Sequence, residues 1–428
     1  MATLRLGSGG DGAITVTSNK NINTDVVASA RTYADGINYK VTSIGNDYVN
    51  ISVAPDGIVA GDEVILINLY GYETTNVANA GNYEFFIVDS VASGVVNFTS
   101  NKTKNYGHDG GDSSISSHSV MIQRIPNYTT VDIQAGGIIT CNGTSRGDGA
   151  TNVGGLVCFR SNDTVTIAGR VDTIGKGPAG GVCGYDFADH GKGWGVGPGT
   201  GVDRYYASFH SQANGSGAGH SAVGAAAGGY PGGIIYGTTD IAKLHVGSGG
   251  GAASNYWGPM GGASGGGAVF IICETLNVVS GGTIDVDGSD GSSAMGYTAG
   301  SGSSGSILLH VKFINTNGAA RLLSIATGSN YPGSAGRIAV YYRTITDAQG
   351  NPTPYTELIN LPYFIEGTTS ENAEIRVYNS SWVLESSKSV TTGIYQVEVG
   401  TEGPFFVVGT PTGSSKNSQI YRNITPSQ

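Results

Sequence analysis

Two aspartates occupy the same place in a repeated phrase: Asp172 in "VTIAGRVDTIGKG" and Asp285 in "LNVVSGGTIDVDGSDG". A carboxylate pair is the equipment of glycoside hydrolysis, and a retaining enzyme holds its two carboxyl groups about 5 Å apart. Phrases on neighbouring strands, roughly 4.8 Å apart, would bring Asp172 and Asp285 to that separation. The same pattern also describes a ladder of small polar residues capping successive turns, with Thr140 and Ser324 at the matching places of two further copies. The ladder is the reading adopted, so Asp172 and Asp285 are taken as structural and no catalytic residue is assigned.

Other candidate chemistry is weaker. Asp285, Asp287 and Asp290 in "DVDGSDG" miss the spacing and the closing glutamate of a calcium loop. His108, His190, His210, His220 and His245 show no metal-ligand spacing and are expected at the surface. Lys192 in "GKGWGVGPG" lacks the Ser or Thr that a phosphate loop places after its lysine, and no G-x-S-x-G elbow occurs. The tripeptide Arg146 to Asp148 reads as coincidence. Cys141, Cys158, Cys183 and Cys273 have no C-x-x-C spacing and are read as buried, reduced thiols. No metal and no cofactor are expected.

Recognition chemistry has a better candidate between Lys176 and Gly266. About a third of that stretch is glycine, yet aromatic residues recur through it, which a flexible linker would not carry. Trp194, Trp257, Tyr205, Tyr206, Tyr230 and Tyr256 are the candidate binding residues, because flat apolar rings suit a glycan or protein partner. Packing of the stretch upon itself, with polyglycine-type segments side by side under the rings, is the competing reading.

The elements that must position these groups are strands. The phrase of a short strand, a glycine turn and a second short strand recurs at Val131 to Gly143, Val165 to Gly177, Leu276 to Gly291 and Phe313 to Gly328. Gly137 and Gly282 are the structural turn residues, and Gly282 is expected to need a conformation that L-residues resist. Gly155, Gly267, Gly305 and Gly336 open mostly apolar strands and are separated by 112, 38 and 31 residues. Units that cannot bury their own apolar face must stack. The fold class is therefore all-β: an irregular glycine-rich β-solenoid over residues 126–345 with an insertion at 176–266. Residues 1–34 supply capping strands, 35–125 a small barrel or sandwich, 346–372 a proline-marked linker, and 373–428 a C-terminal β-sandwich.

Composition narrows the partners. Glycine is 71 of 428 residues, over twice the usual share of about 7%. Charged residues are only 13% and the formal net charge is −10, with no basic cluster, so neither nucleic acid nor an anionic membrane is an expected partner. The opening "MATLRLGSGGDGAITV" has no apolar core or basic leader, which is not the pattern of an exported protein.

The strings "AGDEVILINLYG", "GNYEFFIVDSV", "VVNFTSNKTKNYG" and "VMIQRIPNYTTVDIQAGG", followed by glycine-led apolar strands and "IDVDG" turns, resemble glycine-rich β-solenoid structural and adhesin proteins of tailed-phage virions. The segments "IRVYNSSWVLESSKSVTTGIYQVEV" and "NSQIYRNITP" are similar to carboxypeptidase-regulatory-like β-sandwich modules. The resemblance implies a non-enzymatic fibre, spike or decoration protein and carries over no catalytic residue. It implies other virion proteins, copies of the same chain and a host-surface glycan as partners, and a chain made in the host cytoplasm and released by lysis. A glycan-degrading tailspike and an exported bacterial adhesin or filament subunit are the alternatives.

With two-residue alternation throughout, far-UV circular dichroism is expected to show less than about a fifth helix, against the one-third common in globular proteins. A larger helical fraction would contradict a stack of strands.

Overall fold

The computed structural model describes residues 6–71, 77–108, 111–113, 115, 118–144, 153–182, 191–201, 213–255, 258–317, 320–325, 328, 330–347, 357–360, 363–369, 371–399, 405–412 and 419–424. Among these no α-helix occurs and the regular elements are strands. The chain divides into two compact units, residues 6–359 and residues 360–428.

The larger unit is built on two parallel sheets. One takes a longer strand from each turn of the chain: Gly12–Val16, Asn127–Ile133, Leu156–Ile167, Ala268–Val278, Ser306–Thr316 and Arg337–Tyr342, with Thr344–Asp347 and Glu357–Asn360 at its far end. The other stacks three-residue strands: Asn19–Asn21, Ile138–Thr140, Arg170–Asp172, Thr283–Asp285 and Arg321–Leu323. Strict parallel register brings chemically matched residues over one another, Val157 on Val269 on Ile307 on Ile338, and Ile139 on Val171 on Ile284 on Leu322. All eight lie in one core between the sheets, and that shared core is why no coil is stable alone. The solenoid expected from the repeats is the observed fold, and Gly12–Asn21 is its first full coil.

The turn glycines work differently from expectation. Positive φ falls on Gly136 and Gly281, both +88°, while Gly137 and Gly282 are not in that region. Those two are glycine because a Cβ on Gly137 would land on the Val16 carbonyl oxygen, and one on Gly282 on that of Ile167. Stacking drives backbone into backbone at this corner, so the pair Gly-Gly serves two separate needs. Leu323, and not Ser324, continues the row Thr140, Asp172, Asp285, because Arg321 sits on Thr283. A one-residue slip changes faces in a strand. Ser324 accordingly points inward and donates to the Gly305 carbonyl at 2.9 Å.

Between the first and second coils the chain makes a closed antiparallel barrel from Asn38–Ile44, Tyr48–Ile51, Glu63–Gly71, Tyr83–Ala92, Val95–Phe98 and His118–Arg124. Its own core includes Val41, Val64, Leu66, Val88, Val120 and Ile122, with Phe86 and Phe98 stacked at 4.3 Å. The barrel rests on the outer face of the long-strand sheet, where Phe85 and Tyr83 meet Phe270 at 5.6 and 5.7 Å. Strands covered on both faces are apolar on both, and the first halves of Leu156–Ile167 and Ala268–Val278 are buried without alternation.

Buried charge fixes the junction. Arg124 donates to Asp62 at 2.8 Å, to Asp11 at 2.8 and 3.1 Å and to the Asp35 carbonyl at 3.0 Å. Arg160 forks onto Glu63 at 2.7 and 2.8 Å with its guanidinium 4.7 Å from the Phe85 ring. Removing one member of such a set strands the other charges, at a typical cost of about 3–5 kcal/mol.

The smaller unit pairs Tyr363–Thr369 with Gly393–Val399 and arranges a four-stranded sheet in the order Leu384–Val390, Ala373–Asn379, Phe405–Pro411, Gln419–Ile424. The two sheets share a core of Ile375, Val377, Val397, Val399, Phe405 and Val407. The stretch 346–372 is thus not a plain linker: Glu357–Asn360 and Tyr363–Thr369 are strands within it. Pro352, Pro354 and Pro362, which mark the linker in the sequence, lie outside the described residues.

Gly282→Ala is expected to destabilise the solenoid by about 1–3 kcal/mol, because backbone must move to admit the Cβ. Gly281→Ala should cost about 1 kcal/mol for its left-handed φ alone. Thermal unfolding of the two variants checks the order, and equal stability of Gly282→Ala and the parent would refute the close approach.

Candidate functional site

Apart from the short antiparallel pair Ala253–Asn255 and Gly258–Met260, the described part of the insertion is neither strand nor free loop. Gly249 donates to the Trp194 carbonyl and accepts from Gly199; Gly250 donates to Ala263 and accepts from Gly181; Gly251 donates to Ser216 and accepts from Gly300, all at 2.8 to 2.9 Å. Three successive residues therefore bond three different pairs of neighbouring segments. A β-strand bonds in only two directions, whereas an extended three-residue-per-turn chain can bond all round. Side-by-side packing of this kind needs bare backbones. A Cβ on Gly249, Gly250 or Gly251 would collide with the carbonyl oxygens of Ala179, Gly300 and Thr200 respectively.

This lattice reaches beyond residues 176–266. Gly300 and Gly302 from the next coil and Gly333 from the one after are built into it, against Ser216, Ser264 and Gly302. The insertion is therefore not an appendage that projects from the solenoid. Its glycine segments and the later coil loops are one buried layer, and serine hydroxyls satisfy the remaining polar groups, as where Ser303 accepts from the Ser248 N–H and donates to the Gly219 carbonyl.

Among the aromatic candidates, Trp194 is half-buried, with its backbone locked by Ala179 and Gly249. Tyr230 is half-buried at the end of a tight turn, where Ala227 and Tyr230 exchange backbone hydrogen bonds across Gly228 and Gly229, both of positive φ. Tyr205, Tyr206, Tyr256 and Trp257 lie outside the described residues, as do Cys183, His190, His210 and Arg146 to Asp148. Among the described residues, the large apolar side chains that stand out from the layer include Val223, Ile234 and Ile235, and Met295, which is 72% exposed. Met295 and Gly296 both have positive φ at the tip of the hairpin Ser293–Ala294, Tyr297–Thr298. A methionine in the left-handed region at a tip is the kind of cost that packing does not require.

Asp172 and Asp285 are direct cross-strand neighbours on adjacent coils. Arg170 lies between them, 2.8 Å from Asp285 and 3.5 Å from Asp172. Asp285 is buried, and burial raises its pKa above the usual carboxylate value. Asp287 is pushed up to about 6, first by burial and then by the neighbouring Asp285 charge, although it accepts from Ile325 N at 2.8 Å and Ser304 Oγ at 3.2 Å. The matching places of Asp172 and Asp285 were legible in the sequence, but the bridging Arg170 was not. Among the described residues no group of three or more His, Cys, Asp or Glu could hold a metal ion.

His220 and His245 are buried, which corrects the surface placement read from their glycine-rich context. His220 stacks on Tyr236 at 4.4 Å and 8°, and His245 meets the same ring edge-on at 5.2 Å. His220 Nδ1 donates to the Ser304 carbonyl at 2.7 Å, so its neutral form carries the proton there. Arg337 caps the Tyr236 carbonyl at 2.9 Å, and His245 packs against Gly81 of the barrel. Burial lowers His220 to about 4 and His245 to about 3. Cys141, Cys158 and Cys273 are buried and free, and burial raises each thiol, Cys141 to about 12.

No family model matches the chain, and no curated protein is significantly similar to it. Three solved structures are similar to it. The tailspike gp49 of Pseudomonas phage LKA1 is 9% identical, with 92% of this chain and 85% of that one covered and a TM-score of 0.17. The tailspike gp61 of Pseudomonas phage phi297 is 13% identical over 92% and 83%, with a TM-score of 0.16. The Gp54 tailspike of Acinetobacter baumannii bacteriophage AP22, solved with a capsular saccharide, is 10% identical over 97% and 89%, with a TM-score of 0.17.

Because the folded pKa values of His220 and His245 lie below the unfolded value near 6.5, the unfolded chain takes up protons first as pH falls. Stability should therefore be complete above about pH 7 and be lost from about pH 6.5 towards 4, at up to about 1.4 kcal/mol per pH unit for each histidine. Asp287, raised to about 6, acts in the opposite sense and offsets part of one histidine's contribution. Urea midpoints between pH 7.5 and 4.5 measure the slope, which His220→Phe should reduce. A pH-independent midpoint would contradict the buried neutral imidazoles.

Proposed function

We propose that this chain is a non-enzymatic structural protein of a tailed-phage virion, a fibre, spike or decoration subunit serving assembly, particle stability or attachment to the host surface. One observation supports the reading: among the described residues the glycine layer holds the insertion and the later coil loops together, and large apolar side chains, Val223, Ile234, Ile235 and Met295, stand outside it. Val223, Ile234 and Ile235 lie on segments joined by the Tyr236 N–H to His220 carbonyl bond at 3.0 Å, so they belong to one part of the surface. Exposed aliphatic residues on a rigid support suit contact with another macromolecule, because little entropy is lost on docking. The partners this reading names are other virion proteins, further copies of the chain and a host glycan.

The same frame weighs against catalysis. Arg170 donates to Asp285 at 2.8 Å and lies 3.5 Å from Asp172, so the two carboxylates are accounted for as partners of one guanidinium. The buried cysteine thiols have raised pKa values and are poor nucleophiles at neutral pH.

Mass spectrometry of purified particles and of the host envelope fraction should find the chain in the particles. Incubation with capsular polysaccharide or lipopolysaccharide should release no reducing ends. Release that Asp285→Asn abolishes would replace this reading with a glycan-degrading tailspike, and recovery in the envelope alone would favour an exported adhesin or filament subunit.

A further inference from the structure

The third tryptophan of the chain, Trp382, stands outside every element that the sequence reading marked for recognition. It lies in the C-terminal unit, in the turn between Ala373–Asn379 and Leu384–Val390. On the first of these strands Ala373, Ile375 and Val377 enter the core, so Glu374, Arg376 and Tyr378 face outward. Their partners across the sheet are Thr410, Val408 and Phe406 on one side and Ser389, Ser387 and Leu384 on the other. This outer face therefore combines rings at one end with hydroxyls and an ion pair beside them.

Trp382 folds over the aromatic end. Its ring stacks on Phe406 at 4.5 Å and 14° and lies 5.8 Å from Tyr378. One face of the indole is thus covered and the side chain remains 49% exposed. The turn holds it firmly: Asn379 Oδ1 accepts from the N–H groups of Ser381 and Val383 at 3.0 Å each, and Asn379 Nδ2 donates to Glu385 at 2.8 Å. Trp382 itself has φ +60°, a conformation that a bulky residue adopts only when its surroundings impose it. Immediately beside the rings, Arg376 Nη2 lies 2.8 Å from Glu374 Oε2, with Arg376 exposed and Glu374 half-buried.

We propose that this face is a binding site for a neutral saccharide, with a pyranose ring laid on the open face of Trp382 and its hydroxyls bonded to Arg376, Glu374 and Ser387. A pyranose presents C–H groups on its flat side and donors and acceptors around its rim, which matches a rigid ring bordered by a guanidinium, a carboxylate and hydroxyls. An apolar peptide would strip water from Arg376 and Glu374 without replacing their hydrogen bonds. An acidic polymer would meet an arginine already neutralised by Glu374. The site stands on the geometry of the C-terminal unit alone and holds whichever particle or envelope carries the chain.

Affinity electrophoresis of the full chain through gels containing dextran, mannan or arabinogalactan, with alginate as the acidic control, tests it. At least one neutral polymer should retard the parent. Trp382→Gly, which removes the ring and relieves the left-handed φ, should weaken that retardation at least tenfold, and Trp382→Tyr should retain most of it. Arg376→Met, at an exposed position, should weaken it several-fold and keeps the test decisive if the glycine variant fails to fold. Retardation by alginate alone, by none of the three neutral polymers, or to the same extent in Trp382→Gly or Arg376→Met would overturn the proposal. Absence of the chain from purified particles would sink the virion reading and leave this result untouched.

Discussion

Everything in the larger unit depends on carbonyl oxygens approaching Cα atoms more closely than any side chain permits. At the coil openings, a Cβ on Gly305 would strike the Gly267 carbonyl and one on Gly336 would strike that of Gly305. At the opposite turn, Gly137 and Gly282 meet the coil below in the same way. In the insertion the constraint extends over whole segments. Hydrogen bonding satisfies the backbone groups without a ladder, which is the only way such a stretch can be buried at all.

Glycine has a cost, since each one loses more conformational freedom on folding than any other residue. The lattice offsets it by cooperative bonding: each segment is held by several others, so none can leave alone. Side chains then fill only the margins. The His220, Tyr236 and His245 rings occupy one such margin, between the glycine layer, Arg337 of the long-strand sheet and Gly81 of the barrel. Leu244 N–H bonds to the Gly81 carbonyl at 2.8 Å, and Lys243 reaches the Ala78 carbonyl, so barrel and insertion brace each other. Together with Arg124 and Arg160 at the opposite contact, this leaves the barrel little freedom against the sheet it covers.

A rigid support of this kind separates stability from recognition. The residues that carry the core are invisible from outside, and the outer positions are free to carry Val223, Ile234, Ile235 and Met295 without disturbing them. The C-terminal unit follows the same division on a smaller scale: Val377 and Phe405 are buried, and their neighbours Tyr378 and Phe406 turn outward beneath Trp382.

The sequence by itself determined the all-β class, the repeating coil and the stacking of Gly155, Gly267, Gly305 and Gly336, because period-two alternation and register are local properties. It also put Asp172 and Asp285 at matching places of the repeat, but the same reading put Ser324 where Leu323 stands, so the cross-strand pairing itself came from the stacking of the coils. Only the tertiary structure decided what those aspartates meet, because Arg170 reaches across coils and no spacing encodes a side-chain direction. It decided that His220 and His245 are buried, that the insertion joins loops from two later coils, and that Trp382 lies open while Trp194 is half-covered. In each case the deciding contact is non-local: a glycine-rich stretch reads as loop until one knows which other glycine-rich stretch lies against it.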